Sequence, residues 1–252
     1  MTPRAPKGAR ERIDVLLVER GLCDSRARAQ ARVLAGEVIV DDRRVDKAGE
    51  KVPRDAHIRL KGQEMPWVSR GGLKLDAALA WFGVDPAGLV CVDIGASTGG
   101  FTDVLLQRGA ARVFAVDVGY GQLAHRLRSD ARVTNLERTH IVKLAVGTLS
   151  PAPRLAVVDV SFISLVQVLP ALLPHLAADA RVVCLIKPQF EVGKGAVGKG
   201  GIVRDADARA AAVERVLATA AAAGLVCEGV KESPITGADG NIEVVAAFAR
   251  AC

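Results

Sequence analysis

Aromatic residues are scarce in this chain, with six phenylalanines, two tryptophans and one tyrosine among 252 residues. Its apolar half is carried by Ala, Val and Leu instead. That balance suits buried strands covered by Ala-rich helices and argues against a disordered chain. Cysteine is thin as well. Cys23, Cys91, Cys184, Cys227 and Cys252 form no C-x-x-C pair and no Cys/His cluster, and their number is odd. A disulfide scaffold, a zinc site and an iron–sulfur cluster are thereby disfavoured, and reduced thiols of a cytoplasmic protein are expected. His57, His125, His140 and His175 show no metal-ligand spacing, so no metal is expected. Long apolar runs are also missing. The first twenty residues are charged throughout, without the apolar core of a secretory leader. The least charged stretch, Val160 to Ala178, is interrupted by Ser161, Ser164, Gln167, Pro170, Pro174 and His175. A strand end followed by an amphipathic helix explains it better than a membrane span, which needs ~20 mostly apolar residues.

What is present is an uneven distribution of charge. Formal net charge is +6. Residues 1–62 hold 15 Lys+Arg against 10 Asp+Glu, a net of +5; the remaining 190 residues hold 19 against 18, a net of +1. A basic N-terminal quarter suits a polyanionic partner such as nucleic acid, and a merely soluble surface is the plainer alternative.

Periodicity divides the chain in the same place. Residues 1–11 read as polar and frayed. Helical spacing follows over Arg12 to Arg20, and Ser25 can cap a second helix that stops at Gly36. Val38 to Val40 and Arg43 to Val45 read as strands around an Asp41-Asp42 turn, and Lys47 to Leu60 as short β pieces. Residues 1–62 thus form a small α+β domain and 63–67 a linker. Residues 68–252 alternate strands and helices. The strands are expected at Leu89–Ile94, Val113–Val118, Arg132–Asn135, Leu155–Val160, Arg181–Lys187, Leu225–Ser233 and Asn241–Phe248. Continuous apolar strands separated by helices predict an α/β domain, with a doubly wound, mostly parallel seven-stranded sheet covered on both faces.

The sharpest motif is V-D-I-G-A-S-T-G-G-F, Val92 to Phe101. A buried strand runs into a glycine-rich turn and then a helix, the place where doubly wound sheets bind ligands. The spacing is not G-x-G-x-x-G, which disfavours a dinucleotide. Asp93 at the strand end suits a ligand carrying an ammonium and a sulfonium; a tight turn without a ligand is the alternative. Asp117 ends the next strand, where an acid commonly binds ribose hydroxyls; the alternative is a helix cap. Asp159 and Lys187 end two further strands. A lysine closing an apolar strand is costly unless paired or functional, so a shared crevice or a structural ion pair is expected. Gly193 to Lys199 nearly spells a phosphate-binding loop, but Gly200 stands where Ser or Thr would hold Mg²⁺ and no helix begins there. A glycine-rich lid is one reading of that segment and a plain loop the other.

Longer motifs carry a family resemblance. WVSRGGLKL (Trp67–Leu75), DIGASTGGFTD (Asp93–Asp103), VDVSFISL (Val158–Leu165), IKPQFE (Ile186–Glu191) and GGIVRD (Gly200–Asp205) closely resemble the TlyA family of haemolysin-like ribosomal RNA 2′-O-ribose methyltransferases. RIDVLLVERGL and SRARAQ resemble the S4 RNA-binding module of those proteins. The resemblance spans nearly the whole chain. It implies an FtsJ-type domain using S-adenosyl-L-methionine, of class I Rossmann-like fold. Its Lys-Asp-Lys-Glu tetrad would be Lys74, Asp159, Lys187 and Glu243. Asp93, Gly95, Ser97, Gly99, Gly100, Phe101, Asp117 and Glu137 would hold the cofactor, and Arg26, Arg28 and Lys47 would contact RNA phosphate. Ribosomal RNA or ribosomal subunits are the implied partner, with cytidine as target. Some relatives carry an arginine two residues before the Trp of the first motif; Met65 stands there in this chain.

Two rival functions belong to other classes. A membrane-active haemolysin is suggested by the family's name, but neither a spanning helix nor a strongly basic amphipathic helix is seen. A non-catalytic RNA-binding protein is opposed by the intact tetrad. Base methylation lacks an N-P-P-Y-like motif or a catalytic cysteine pair.

Overall fold

In a computed structural model, residues 10–61, 66–193, 197–237 and 240–250 are described. The chain divides into two compact units, Met1–Pro66 and Trp67–Cys252. Met65 and residues 194–196 of the Gly193–Lys199 segment lie outside the described residues.

The first unit begins with a strand where a frayed end is expected. β1 (Arg10–Arg12) pairs antiparallel with β4 (Lys51–Pro53). Its polar Arg-Glu-Arg carries no alternation, so only the backbone ladder reveals it. α1 (Ile13–Glu19) and α2 (Arg26–Leu34) follow. Ser25 caps α2 by accepting from the Arg28 N–H at 3.3 Å. β2 (Val38–Val40) pairs with both β3 (Arg43–Arg44) and β5 (Ile58–Leu60). Ile13, Leu16, Leu17, Val33, Val38 and Leu60 pack into one core.

The second unit starts with α3 (Gly71–Trp81) and β6 (Val90–Ile94). There follow α4 (Gly100–Gln107), β7 (Arg112–Val116), α5 (His125–Arg128), β8 (Val133–Leu136) and β9 (Leu155–Val158). The chain continues through α6 (Leu165–Leu172), β10 (Arg181–Ile186), α7 (Pro188–Glu191) and α8 (Ala206–Ala222). It closes with β11 (Leu225–Glu232) and β12 (Val244–Arg250). Ser164 caps α6 and Asp205 caps α8. α6 is shorter than the amphipathic helix expected within Val160 to Ala178 and passes into a 3₁₀ turn at Leu173–His175. Pro170 has no N–H for the helix ladder, and Pro174 begins a tighter turn.

The sheet order is β11-β12-β10-β9-β6-β7-β8. β12 runs antiparallel to both its neighbours, and the other pairs are parallel. From β6 the chain moves outward through β7 and β8, then returns to place β9 on the other side of β6. Ligands bind at such a reversal, beyond the carboxyl ends of the strands. Two apolar layers sandwich the sheet, one containing Leu169, Val182 and Phe248, the other Leu79, Leu105 and Val183.

Candidate active site

A crevice opens at that reversal. Its larger part, about 460 Å³, is lined by Lys74, Gly95, Asp159, Lys187 and Glu243 among others. A smaller part, about 300 Å³, is walled by Val116, Val118, Ile141 and Val160, with Asp117 at its side. Both share Gly95, Ser97, Asp159, Ser161 and Phe162, so the two parts adjoin.

The four tetrad positions meet in the larger part. Lys74, on α3, donates to the Glu243 carboxylate at 2.5 Å across a chain separation of 169 residues. Glu243 precedes β12 and is 3% exposed. Burial pushes its carboxyl above the usual range, while Lys74 and then Lys187 pull it down. Lys187 leaves the end of β10 and makes a 2.6 Å ion pair with Asp159 at the end of β9. That contact is one of charge rather than an aligned hydrogen bond; Lys187 instead donates to Ser161 Oγ at 3.0 Å. Ser161 is a site residue that motif reasoning missed, because a serine in V-D-V-S carries no signature by itself.

The glycine-rich turn is shaped by contacts on two sides. Gly95 has φ +87, and a Cβ there would lie 2.4 Å from the Asp159 carbonyl oxygen. Only glycine lets the β6 exit pass that close to the β9 exit. A Cβ on Gly100 would meet Ser69 Oγ at 2.2 Å, so the S-R-G-G segment can lie directly on the turn. Gly100, Phe101 and Ser97 line the larger cavity, and Gly99 caps α4 at φ +97. The Asp117 carboxylate accepts from the Ser97 N–H at 2.8 Å and the Gly119 N–H at 2.6 Å. It therefore braces the turn rather than capping a helix. Glu137 lines a shallow pocket with Asp117 and pairs with Arg128 at 2.6 Å.

Asp93 sits apart from the lining residues. It is fully buried beneath the turn, and its Oδ2 accepts from the Thr102 N–H and hydroxyl at 2.9 and 2.7 Å. Its Oδ1 has no partner. Burial above all, opposed by Thr102 and reinforced by the charges of Asp159 and Asp117, pushes its carboxyl up to about 7. An unfolded aspartate loses its proton near pH 4. Between about pH 4 and 7 the unfolded chain is thus the one that ionises, so this group's contribution falls as pH rises through that window and is level above it. Asp93→Asn is expected to remove that decline, measured as melting temperature against pH; an unchanged profile would contradict the assignment.

In the first unit, Arg26 reaches Asp14 Oδ2 at 3.0 Å, and Arg12 and Gln30 bind the same fully buried carboxylate. These partners, Arg12 foremost, hold the Asp14 carboxyl well below the usual range. Arg26 is thus a structural partner as well as a half-exposed cation. Arg28 forms an exposed pair with Asp24, of a kind worth about 0–1 kcal/mol. Lys47 is exposed.

Residues 67–250 match the model of FtsJ-like methyltransferases, and residues 11–58 match the S4 domain. The chain belongs to the FtsJ-like methyltransferase family. It is an S-adenosylmethionine-dependent methyltransferase carrying an S4 domain. It is 48% identical over 235 residues to the 16S/23S rRNA (cytidine-2′-O)-methyltransferase TlyA of Mycobacterium tuberculosis, covering 93% of this chain and 88% of that one. A hemolysin-like protein of Streptococcus thermophilus is 44% identical, with TM-score 0.76 over 96% of this chain and 89% of that one. The 1,6-didemethyltoxoflavin-N1-methyltransferase of Burkholderia thailandensis shares the fold at 16% identity, with TM-score 0.52 over 76% of this chain and 83% of that one. Among the described residues no helix is long and apolar enough to cross a membrane, and no group of three His, Cys, Asp or Glu could hold a metal.

Proposed function

We propose that this enzyme methylates the ribose 2′-OH of a cytidine in ribosomal RNA, using Lys74, Asp159, Lys187 and Glu243 as its catalytic set. The observation that carries the proposal is the convergence of these four side chains on one cavity beside the glycine turn. S-adenosylmethionine, when bound, supplies a methyl group on a positively charged sulfur. The crevice fits that molecule chemically: an apolar slot with a carboxylate at its side suits an adenosine, and it adjoins a polar chamber. Asp117, with Glu137 nearby, would meet the adenosine, while Gly95, Ser97, Gly100 and Phe101 would form the floor and Gly99 would turn the chain into α4. Asp93 would support that floor through Thr102.

A ribose hydroxyl is a poor nucleophile at neutral pH, so alignment and the handling of one proton dominate the barrier. Lys187 Nζ orients the 2′-oxygen and relays its proton to the Asp159 carboxylate. Asp159 and Ser161 hold that amine, and the Lys74–Glu243 pair positions the ribose. With the oxygen so held, bound S-adenosylmethionine would supply the methyl group and would depart as the neutral sulfide. The S4 unit binds RNA phosphate through Arg26, Arg28 and Lys47, giving affinity that falls with salt. The acceptor hydroxyl itself selects RNA over DNA. A ribosomal RNA substrate places the enzyme in the cytoplasm.

The test is transfer from labelled cofactor to purified ribosomal subunits and to naked ribosomal RNA, followed by mapping of the product. One or more 2′-O-methylcytidines are expected. Label on a base, or none on RNA, would overturn the proposal.

A further inference from the structure

The larger cavity depends on two strand exits whose separation the sheet no longer controls. β9 and β10 stay in register only as far as Val158 and Cys184. Asp159 and Lys187 lie beyond those last partners, where no ladder bond between the two strands sets their distance. A buried carboxylate spans the gap. Glu191, 4% exposed, ends α7, the single turn that starts one residue after Lys187. One of its oxygens accepts from the Leu165 N–H at 2.8 Å, the other from Ser164 Oγ at 2.5 Å. Both donors stand at the start of α6, immediately after the segment that carries Asp159, Ser161 and Phe162. On the far side, Arg215 of α8 donates to the Glu191 carbonyl at 2.7 Å.

Two further features lie in the same bridge. The rings of Phe162 and Phe190 approach to 5.1 Å between centroids. Phe162 has φ +65, a left-handed conformation that a phenylalanine keeps only where its flanks are held. Glu191 does not line the crevice, so any influence on the reaction passes through other residues.

We infer that Glu191 is a positioning residue for methyl transfer: it ties the exit of β10 to the exit of β9 and so sets Lys187 against Asp159 and Ser161. The inference rests on the reading of the site given above. It predicts a defect in turnover rather than in binding, because the groups displaced are the reacting amine and its supports.

Three variants of the full chain test it. Glu191→Ala removes both acceptors. Glu191→Asp keeps the charge but is one methylene short of spanning both donors. Glu191→Gln keeps the length, accepting from Leu165 and donating to Ser164 Oγ. With S-adenosylmethionine and ribosomal subunits, kcat is expected to fall about 10- to 100-fold for the alanine variant, as for a misplacement of about 1 Å. The aspartate variant should lose less, and the glutamine variant should stay within about threefold of wild type. KM for cofactor and RNA should change little in all three. A merely structural role would lower the melting temperature and move KM together with kcat, instead of lowering kcat alone in the folded protein.

The inference is overturned if Glu191→Ala, folded by thermal melt, keeps wild-type kcat, or if Glu191→Gln is as impaired as alanine. Should the alanine variant not fold, the aspartate variant carries the same test, and wild-type kcat in it overturns the inference. If the wild-type chain itself transfers no methyl group, the functional reading fails separately. A crystal structure of the alanine or aspartate variant then decides: a Lys187–Asp159 contact still near 2.6 Å overturns the inference, and its loss upholds it.

Discussion

Lys187→Ala is expected to lower methyl transfer by about 10²–10⁴-fold, the range for removing a positioned proton-transfer group. That corresponds to about 2.7–5.5 kcal/mol of barrier. The amine is held by two partners at once, at 2.6 Å from Asp159 and 3.0 Å from Ser161. Its side chain is 11% exposed, so water replaces it poorly. Cofactor affinity should be nearly unchanged, because the apolar slot beside Asp117 does not include Lys187. Lys187→Arg should not restore the rate: a planar guanidinium keeps the charge but cannot occupy the place of a compact amine. Single-turnover transfer with saturating cofactor, alongside calorimetric cofactor binding, separates the two effects. Wild-type turnover in Lys187→Ala would refute the assigned role.

Gly95→Ala is expected to cost about 2–5 kcal/mol of stability, from a left-handed conformation worth about 1–2 kcal/mol and overpacking worth about 1–3 kcal/mol. The new methyl would stand 2.4 Å from the Asp159 carbonyl oxygen and 2.9 Å from its carbon, both backbone atoms. Neither can swing aside as a flexible side chain would. Relief must come from separating the exits of β6 and β9, which also moves Asp159 away from Lys187. Melting temperature should therefore fall by about 4–20 °C, at roughly 2–4 °C per kcal/mol for a chain of this size. Transfer should fall with it, even at temperatures where the variant is folded. An alanine variant with wild-type melting and turnover would show that the close approach is not needed. Gly83→Ala is a useful control, because it shares a positive φ but has nothing within 4 Å of the added carbon.

Much of the architecture was legible in the chain itself. Buried parallel strands are written as uninterrupted apolar runs, so Val90–Ile94, Leu155–Val158 and Arg181–Ile186 could be found within a residue or two. Capping is equally local: Ser25 and Asp205 declare the starts of α2 and α8 through side chains that bond their own helices. Polar segments held by backbone pairing were not legible. Arg10–Arg12 looks frayed until Lys51–Pro53 lies beside it. Asn241–Glu243 looks like the start of the last strand, yet β12 begins at Val244. Asn241 instead bonds the Val203 N–H and the Gly201 carbonyl, which turns the preceding loop inward beside Glu243.

Sequence alone determined the family motifs, the strand–helix alternation and the basic N-terminal quarter, because each is a property of neighbouring residues. Tertiary structure alone decided that Lys74 meets Glu243, that Asp93 faces the interior instead of the crevice, and that Glu191 grips the start of α6. Those relations join residues far apart in the chain. They follow from strand order and from the direction each backbone takes on leaving the sheet, which no local pattern of residues encodes.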